Sequence, residues 1–177
     1  ATVFTVADPV DEMVRAADYL RSKFNIESAS PVKNTKLGST YLQFEGTYEA
    51  PNFQTGEPPY DSKGEIVFNQ DGEPVMQWIE EMDFVLTIPK DVAMPQEGWP
   101  VVLYAHGTGG SRYTVTKSVA KYLGEAGLAA ISIDQPLHGN RWPGGTTANI
   151  EFYSFNFANP QAARSLFRQA ALDDVAL

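Results

Sequence analysis

Hydrophobic and polar positions divide the chain into recognisable elements. Val101 to Ala105 is an uninterrupted apolar run. Without alternation, it predicts a strand covered on both faces, as in a parallel sheet between helices. Leu128 to Ile133 is a second apolar run. Between them Val115, Val119, Tyr122, Leu123 and Ala126 recur at helical spacing, and Gly127 follows as a helix-ending residue. Strand, helix and strand together predict a right-handed parallel crossover. Upstream, Met82, Phe84, Leu86 and Ile88 alternate with Asp83, Val85 and Thr87, a strand with one face more buried than the other, ended by Pro89.

The first part of the chain is less regular. Asp8-Pro9 is a helix start, and Val10, Val14, Ala17 and Leu20 continue an amphipathic helix from Pro9 to Lys23 that packs on an N-terminal sheet. Tyr41 to Phe44 predicts a short strand. Thr47 to Gly64 carries Pro51, Gly56, Pro58 and Pro59, so a long loop is expected, with Tyr48, Phe53 and Tyr60 either packing it down or contacting a ligand. Glu65–Phe68 and Pro74–Ile79 flank Asn69-Gln70-Asp71-Gly72, a hairpin signal. A second long connection, Leu137 to Asn159, holds Trp142-Pro143-Gly144-Gly145 and the aromatics Phe152, Tyr153, Phe155 and Phe157. Asn159-Pro160 then opens a helix that runs through Leu166, Phe167 and Ala170 to Leu177. Two segments are expected: residues 1–80, with the first helix, strands and long loop, and residues 81–177, with the core.

The chemistry concentrates where the first apolar run stops. His106-Gly107-Thr108-Gly109-Gly110 is a polar ring followed by a backbone almost free of side chains, so its N–H groups can approach a ligand closely. Such donors can stabilise the negative oxygen of a tetrahedral intermediate. Downstream stand Asp134-Gln135-Pro136-Leu137-His138-Gly139 and Phe155-Asn156-Phe157-Ala158-Asn159-Pro160. Together these stretches resemble the α/β-hydrolase family of esterases and lipases, over roughly Phe84 to Leu177.

The resemblance implies the N-terminal half of an α/β-hydrolase, an α/β fold with a mostly parallel sheet and antiparallel opening strands. It implies hydrolysis of a small carboxylic ester through a serine acyl-enzyme, with His106, Gly107, Thr108 and Gly109 forming the oxyanion loop and the Thr108 N–H its main donor. The connection after Leu137 corresponds to a lid or pocket wall in the family. Trp142, Phe152, Tyr153 and Phe155 are therefore candidate substrate contacts, with simple packing of the loop as the alternative. No Gly-x-Ser-x-Gly occurs in the chain, so the nucleophile, acid and base are expected beyond residue 177. The expected partner is the C-terminal remainder of the same precursor, acting as a second chain that completes the sheet. In the family His106 and His138 serve structurally; Ser111 is read as a helix-opening residue and Asp134 as a turn-fixing one. A binding or scaffold module on this fold, or amide or haloalkane turnover, remains an alternative.

Composition narrows the partners. A net charge of −9 and the lack of a basic stripe argue against nucleic acid. There is no cysteine, which removes disulfides and thiolate metal sites. The acidic neighbours Asp71, Glu73, Glu80, Glu81 and Asp83 alternate between strand faces and are read as a solvated surface; no metal and no cofactor is expected. No apolar run reaches the roughly 18 residues of a membrane span. A start at Ala1-Thr2-Val3, without Met, fits a processed, exported protein or an artificially trimmed chain; of the two, export is preferred and a secreted or periplasmic location is expected.

Overall fold

A computed structural model describes residues 3, 8–30, 32–144 and 149–177. Ala1, Thr2 and Gly145, which the sequence singles out, lie outside the described residues. Helix α1, Pro9–Lys23, begins as expected, with the Asp8 carboxylate accepting the Asp11 N–H at 3.0 Å. Its buried face is turned from the expected stripe. Ala16 and Leu20 are buried, Val10 and Val14 are exposed, and Met13, Ala17 and Tyr19 fill the flanks.

Five strands form one sheet in the order β1-β2-β3-β5-β4: β1 Lys33–Leu37, β2 Tyr41–Asn52, β3 Trp78–Pro89, β4 Val101–Leu103 and β5 Ala129–Ile133. Only the β4–β5 pairing is parallel, so within the described residues the sheet is mostly antiparallel, not mostly parallel as expected. The reason is the extent of the antiparallel start: β2 and β3 pair along twelve residues each, from Tyr41 opposite Pro89 to Asn52 opposite Trp78.

β2 runs eight residues past its expected end, through Gly46 and Pro51. Gly46 lies under the ring of Phe84. β1 pairs with β2 only between Leu42 and Glu45, so Pro51 sits where the strand has a ladder on one side, a position that tolerates its missing N–H. The long loop is therefore shorter than expected and begins at Phe53. It is packed down from below: Gln169 accepts the Phe53 N–H at 2.8 Å, Ser165 accepts the Ile66 N–H at 3.1 Å, and the Asn156 and Asn159 amides donate to the Tyr60 carbonyl. The turn at Asn69 to Gly72 forms, with Gly72 N–H donating to the Asn69 carbonyl, but its arms meet only in a single bridge between Phe68 and Pro74.

Helices cover both faces. On one, α1 and α5 (Pro160–Ala176) pack Ala16, Leu20 and Leu172 against Tyr48, Met82, Phe84 and Ile133. On the other, α2 (Thr114–Ser118) and α3 (Ala120–Glu125) pack Val115, Val119 and Leu123 against Val85 and Ala130. Both faces of β3 are thus buried, more than its alternation predicts, because each carries a helical layer. The expected single helix from Val115 to Ala126 bends at Val119 and becomes α2 and α3. Gly127 ends it with φ +74° and Leu128 N–H returns to the Leu123 carbonyl. α4, Ile150–Phe155, is a short helix inside the expected irregular connection. β3 runs through the 80/81 division, and the larger core draws residues from both segments.

One polar tie holds these layers at the top of β5. The Arg141 side chain, 7% exposed, reaches Glu80 of β3 at 2.8 and 3.0 Å, Asp173 of α5 at 2.8 Å and the Asp134 carbonyl at 3.1 Å. Glu80 is accordingly an ion-pair partner and not part of a solvated face. Among the described residues no helix is long and apolar enough to cross a membrane.

Candidate active site

The segment after β4 leaves the carboxyl end of the parallel pair and is held by two buried imidazoles. His106 Nε2 accepts the Gln135 N–H at 3.0 Å, and its Nδ1 lies 2.9 Å from the Gly107 carbonyl. His138 Nε2 accepts the Gly109 N–H at 3.0 Å, and its Nδ1 lies 3.0 Å from the Pro136 carbonyl. A ring nitrogen facing an N–H must offer a lone pair, so both rings are neutral and carry their proton on Nδ1. They meet edge-on with centroids 4.9 Å apart. Burial, opposed by the Pro136 carbonyl and aided by His106, holds His138 below the ordinary imidazole value.

The sequence explains why the loop has this form. Gly109 has φ +78° and open space around a would-be Cβ, so backbone conformation and not crowding calls for glycine there. At Gly139 both apply: φ is +53° and a Cβ would overlap the Asp134 carboxylate. That carboxylate accepts the Arg112 N–H at 2.8 Å, pairs with the Arg112 guanidinium and receives the Asn140 N–H at 3.4 Å. Asp134 therefore ties the start of α2 to the turn after β5. Ser111 sits at the opening of α2, its Oγ 3.4 Å from the Tyr113 N.

From Gly109 onward each loop amide has an acceptor. Gly109 N–H goes to His138, Gly110 N–H to the Gly107 carbonyl at 2.9 Å, Ser111 N–H to Thr114 Oγ1 at 3.1 Å and Arg112 N–H to Asp134. Among the described residues the N–H groups from Ala105 to Thr108 have no hydrogen-bond partner, and of these Gly107 and Thr108 belong to the glycine loop. Both residues are exposed and border a cleft of about 330 Å3. Its other walls are Ala105, His106, Gln135 and Pro136 on the sheet side and one face of α5, including Phe167 and Asp174. Gln135 donates to the Asp174 carboxylate at 3.1 Å. Burial raises Asp174 above its ordinary value against that hydrogen bond. Ser154 Oγ, also at this cleft, is buried and has no partner among the described residues.

The structure thus brings His106, Gly107 and Thr108 to one cleft, with Gly109 turned away onto His138. It does not bring the candidate aromatics there. Trp142 packs against Tyr153 at 5.5 Å over Tyr60, Leu137 and Leu166. Phe152 meets Tyr153 edge-on at 5.3 Å with more than half its surface exposed, and Phe155 pairs with Phe167 at 6.2 Å. Phe157 is almost fully exposed. Gln135, Ser154 and Asp174 were not singled out from the sequence. Gln135 stands inside the Asp134 to Gly139 motif, a usable signal; Asp174 falls in a helical run whose facing only the packing reveals. Among the described residues no three His, Asp or Glu side chains are grouped to hold a metal ion.

No known protein-family profile matches the chain, and no curated protein matches it. Among solved structures it is similar to an S-formylglutathione hydrolase from Agrobacterium tumefaciens, with 19% identity and a TM-score of 0.35. The match covers 64% of this chain and 32% of that enzyme.

Proposed function

We propose that this chain supplies the oxyanion loop of a carboxylic ester hydrolase that works through a serine acyl-enzyme. The observation that carries the reading is the run of unpartnered N–H groups that ends in Gly107 and Thr108 at a cleft, while the next four loop amides are all engaged. Attack by a serine oxygen on an ester carbonyl forms one C–O bond and moves the carbonyl electron pair onto oxygen. Donors fixed in advance stabilise that charge as it develops. Collapse breaks the ester C–O bond and expels the alcohol, which takes up the proton that the serine gave to the histidine base on attack, and water then releases the acid from the acyl-enzyme.

In this proposal the serine, acid and histidine come from the remainder of the same precursor beyond Leu177, docked as a second chain along β4. What supports it is the state of β4: among the described residues it pairs only with β5, and Val101, Leu103 and Ala105 lie bare on one face. Phe167, exposed and paired with the exposed Phe155, borders the same cleft as Ala105. A free edge beside apolar side chains is an arrangement that proteins ordinarily cover.

The test of the loop is a pair of variants in the completed enzyme. Thr108→Ala keeps the backbone donor and should retain most activity on a small activated ester. Thr108→Pro deletes it, and removal of one such donor costs about 3 kcal/mol, roughly a hundredfold in kcat. Equal activity of the two variants would remove the oxyanion assignment.

A further inference from the structure

Two backbone amides, those of Gly109 and Gln135, depend on imidazole nitrogens as acceptors. Elsewhere in the loop a hydroxyl, a carboxylate or a carbonyl does this work, and none of those loses its acceptor role near neutral pH. An imidazole does. A proton taken from water onto Nε2 occupies the lone pair, leaves the ring cationic, and sets one N–H against another.

We propose that His138 is a positioning residue for the oxyanion loop and that only its neutral form performs the task. Protonation at Nε2 breaks the bond to the Gly109 N–H and frees the segment that holds the Gly107 and Thr108 donors at the cleft. Gly109 is the vulnerable point because it sits at positive φ and, among the described residues, its N–H has His138 Nε2 as its acceptor. The charged surroundings do not rescue the cation. His106, on the loop after β4, faces His138 edge-on. Asp134 after β5 is already paired with Arg112, and Arg141 of the following turn adds a positive charge. Asp174 of α5 lies on the His106 side, hydrogen-bonded to Gln135. No carboxylate among the described residues hydrogen-bonds either ring. The depressed proton affinity of His138 agrees with this geometry.

The inference rests on the oxyanion reading, but its test follows the loop and not the reaction. The chain contains only two histidines, so 15N-histidine labelling gives a spectrum of two rings, recorded on the soluble form, alone or with an unlabelled completing segment. At pH 8 both rings should show the Nδ1–H tautomer. On acidification the exchange of the Gly109 amide, corrected for intrinsic rate, should speed up at least tenfold as His138 titrates. His138→Gln, whose side-chain oxygen can accept the same N–H and does not titrate, should keep Gly109 protected at both pH values. His138→Phe should lose protection at both. An Nε2–H tautomer for His138, or an acid response that persists in His138→Gln, would overturn the proposal; if His138→Phe fails to fold, the wild-type titration and the Gln variant decide it. Intact tautomers and acid response without ester hydrolysis in the completed protein would count against the enzyme reading alone.

Discussion

β4 and β5 both descend from apolar runs in the sequence, lie side by side in parallel, and meet different fates. Four of the five residues of β5 are buried. It has a strand on either side and helices above and below. β4 keeps three residues of ladder, with Val101 59% and Leu103 43% exposed. Its other face is covered, since Val102 and Tyr104 pack under α2 and α3. Sequence pattern reports what a strand requires; whether the requirement is met depends on how many neighbours the chain brings to it. The difference leaves β4, among the described residues, with a free edge and one uncovered face, the surface on which the proposed second chain would dock.

Removing the tie at the top of β5 should have the largest effect. Arg141→Met leaves Asp173 and Glu80 buried or half-buried without their cation, and breaking a buried pair from one side costs about 3–5 kcal/mol. A denaturant melt reads this directly. A loss below about 1 kcal/mol would mean that β5 is held by packing alone.

Next come the apolar contacts themselves. Ile133→Ala removes a side chain that is 1% exposed between α5 and the sheet, for a loss of about 2–5 kcal/mol. Leu103→Thr on β4 should stay within about 0.5 kcal/mol, the range of surface changes. If the two substitutions cost the same, β4 is already covered and the contrast fails.

The pH effect should be smaller and of defined sign. Because the folded state lowers the affinity of His138 for a proton, the unfolded chain binds more protons as pH falls through the ordinary value of 6.5. The His138 contribution is therefore complete above that pH and is lost below it, by at most about 1.4 kcal/mol per pH unit, while Asp173 and Asp174, held above their ordinary values by burial, act in the opposite sense. His138→Gln should flatten this limb. A stability difference, wild type minus His138→Gln, that rises between pH 6.5 and 5.5 would contradict the sign.

Much of the layout was legible along the chain. Asp8-Pro9 and Asn159-Pro160 start helices at those residues, since a carboxylate or amide oxygen and a fixed φ act locally. β5 and the turn at Gly127 were legible for the same reason. The long β2 was not, because Gly46 and Pro51 read as breakers and only the Phe84 ring and a one-sided ladder make them acceptable. The exposed Val10 and Val14 and the buried Arg141 depend on which helix lies opposite, information that no local window holds. At the site, the His-Gly loop and the structural place of both histidines were readable from motif and neighbours. That His138 takes the Gly109 amide, leaving Gly107 and Thr108 among the open donors, required the geometry.

The central claim, that this chain provides an oxyanion loop to a triad docked along β4, is tested most directly by measuring p-nitrophenyl acetate hydrolysis by the chain, by the proposed completing segment, and by the two combined. The account predicts no turnover by either piece, turnover on mixing or co-expression, and loss of that turnover with Thr108→Pro. Turnover by residues 1–177 alone, or a combined rate untouched by Thr108→Pro, would contradict it.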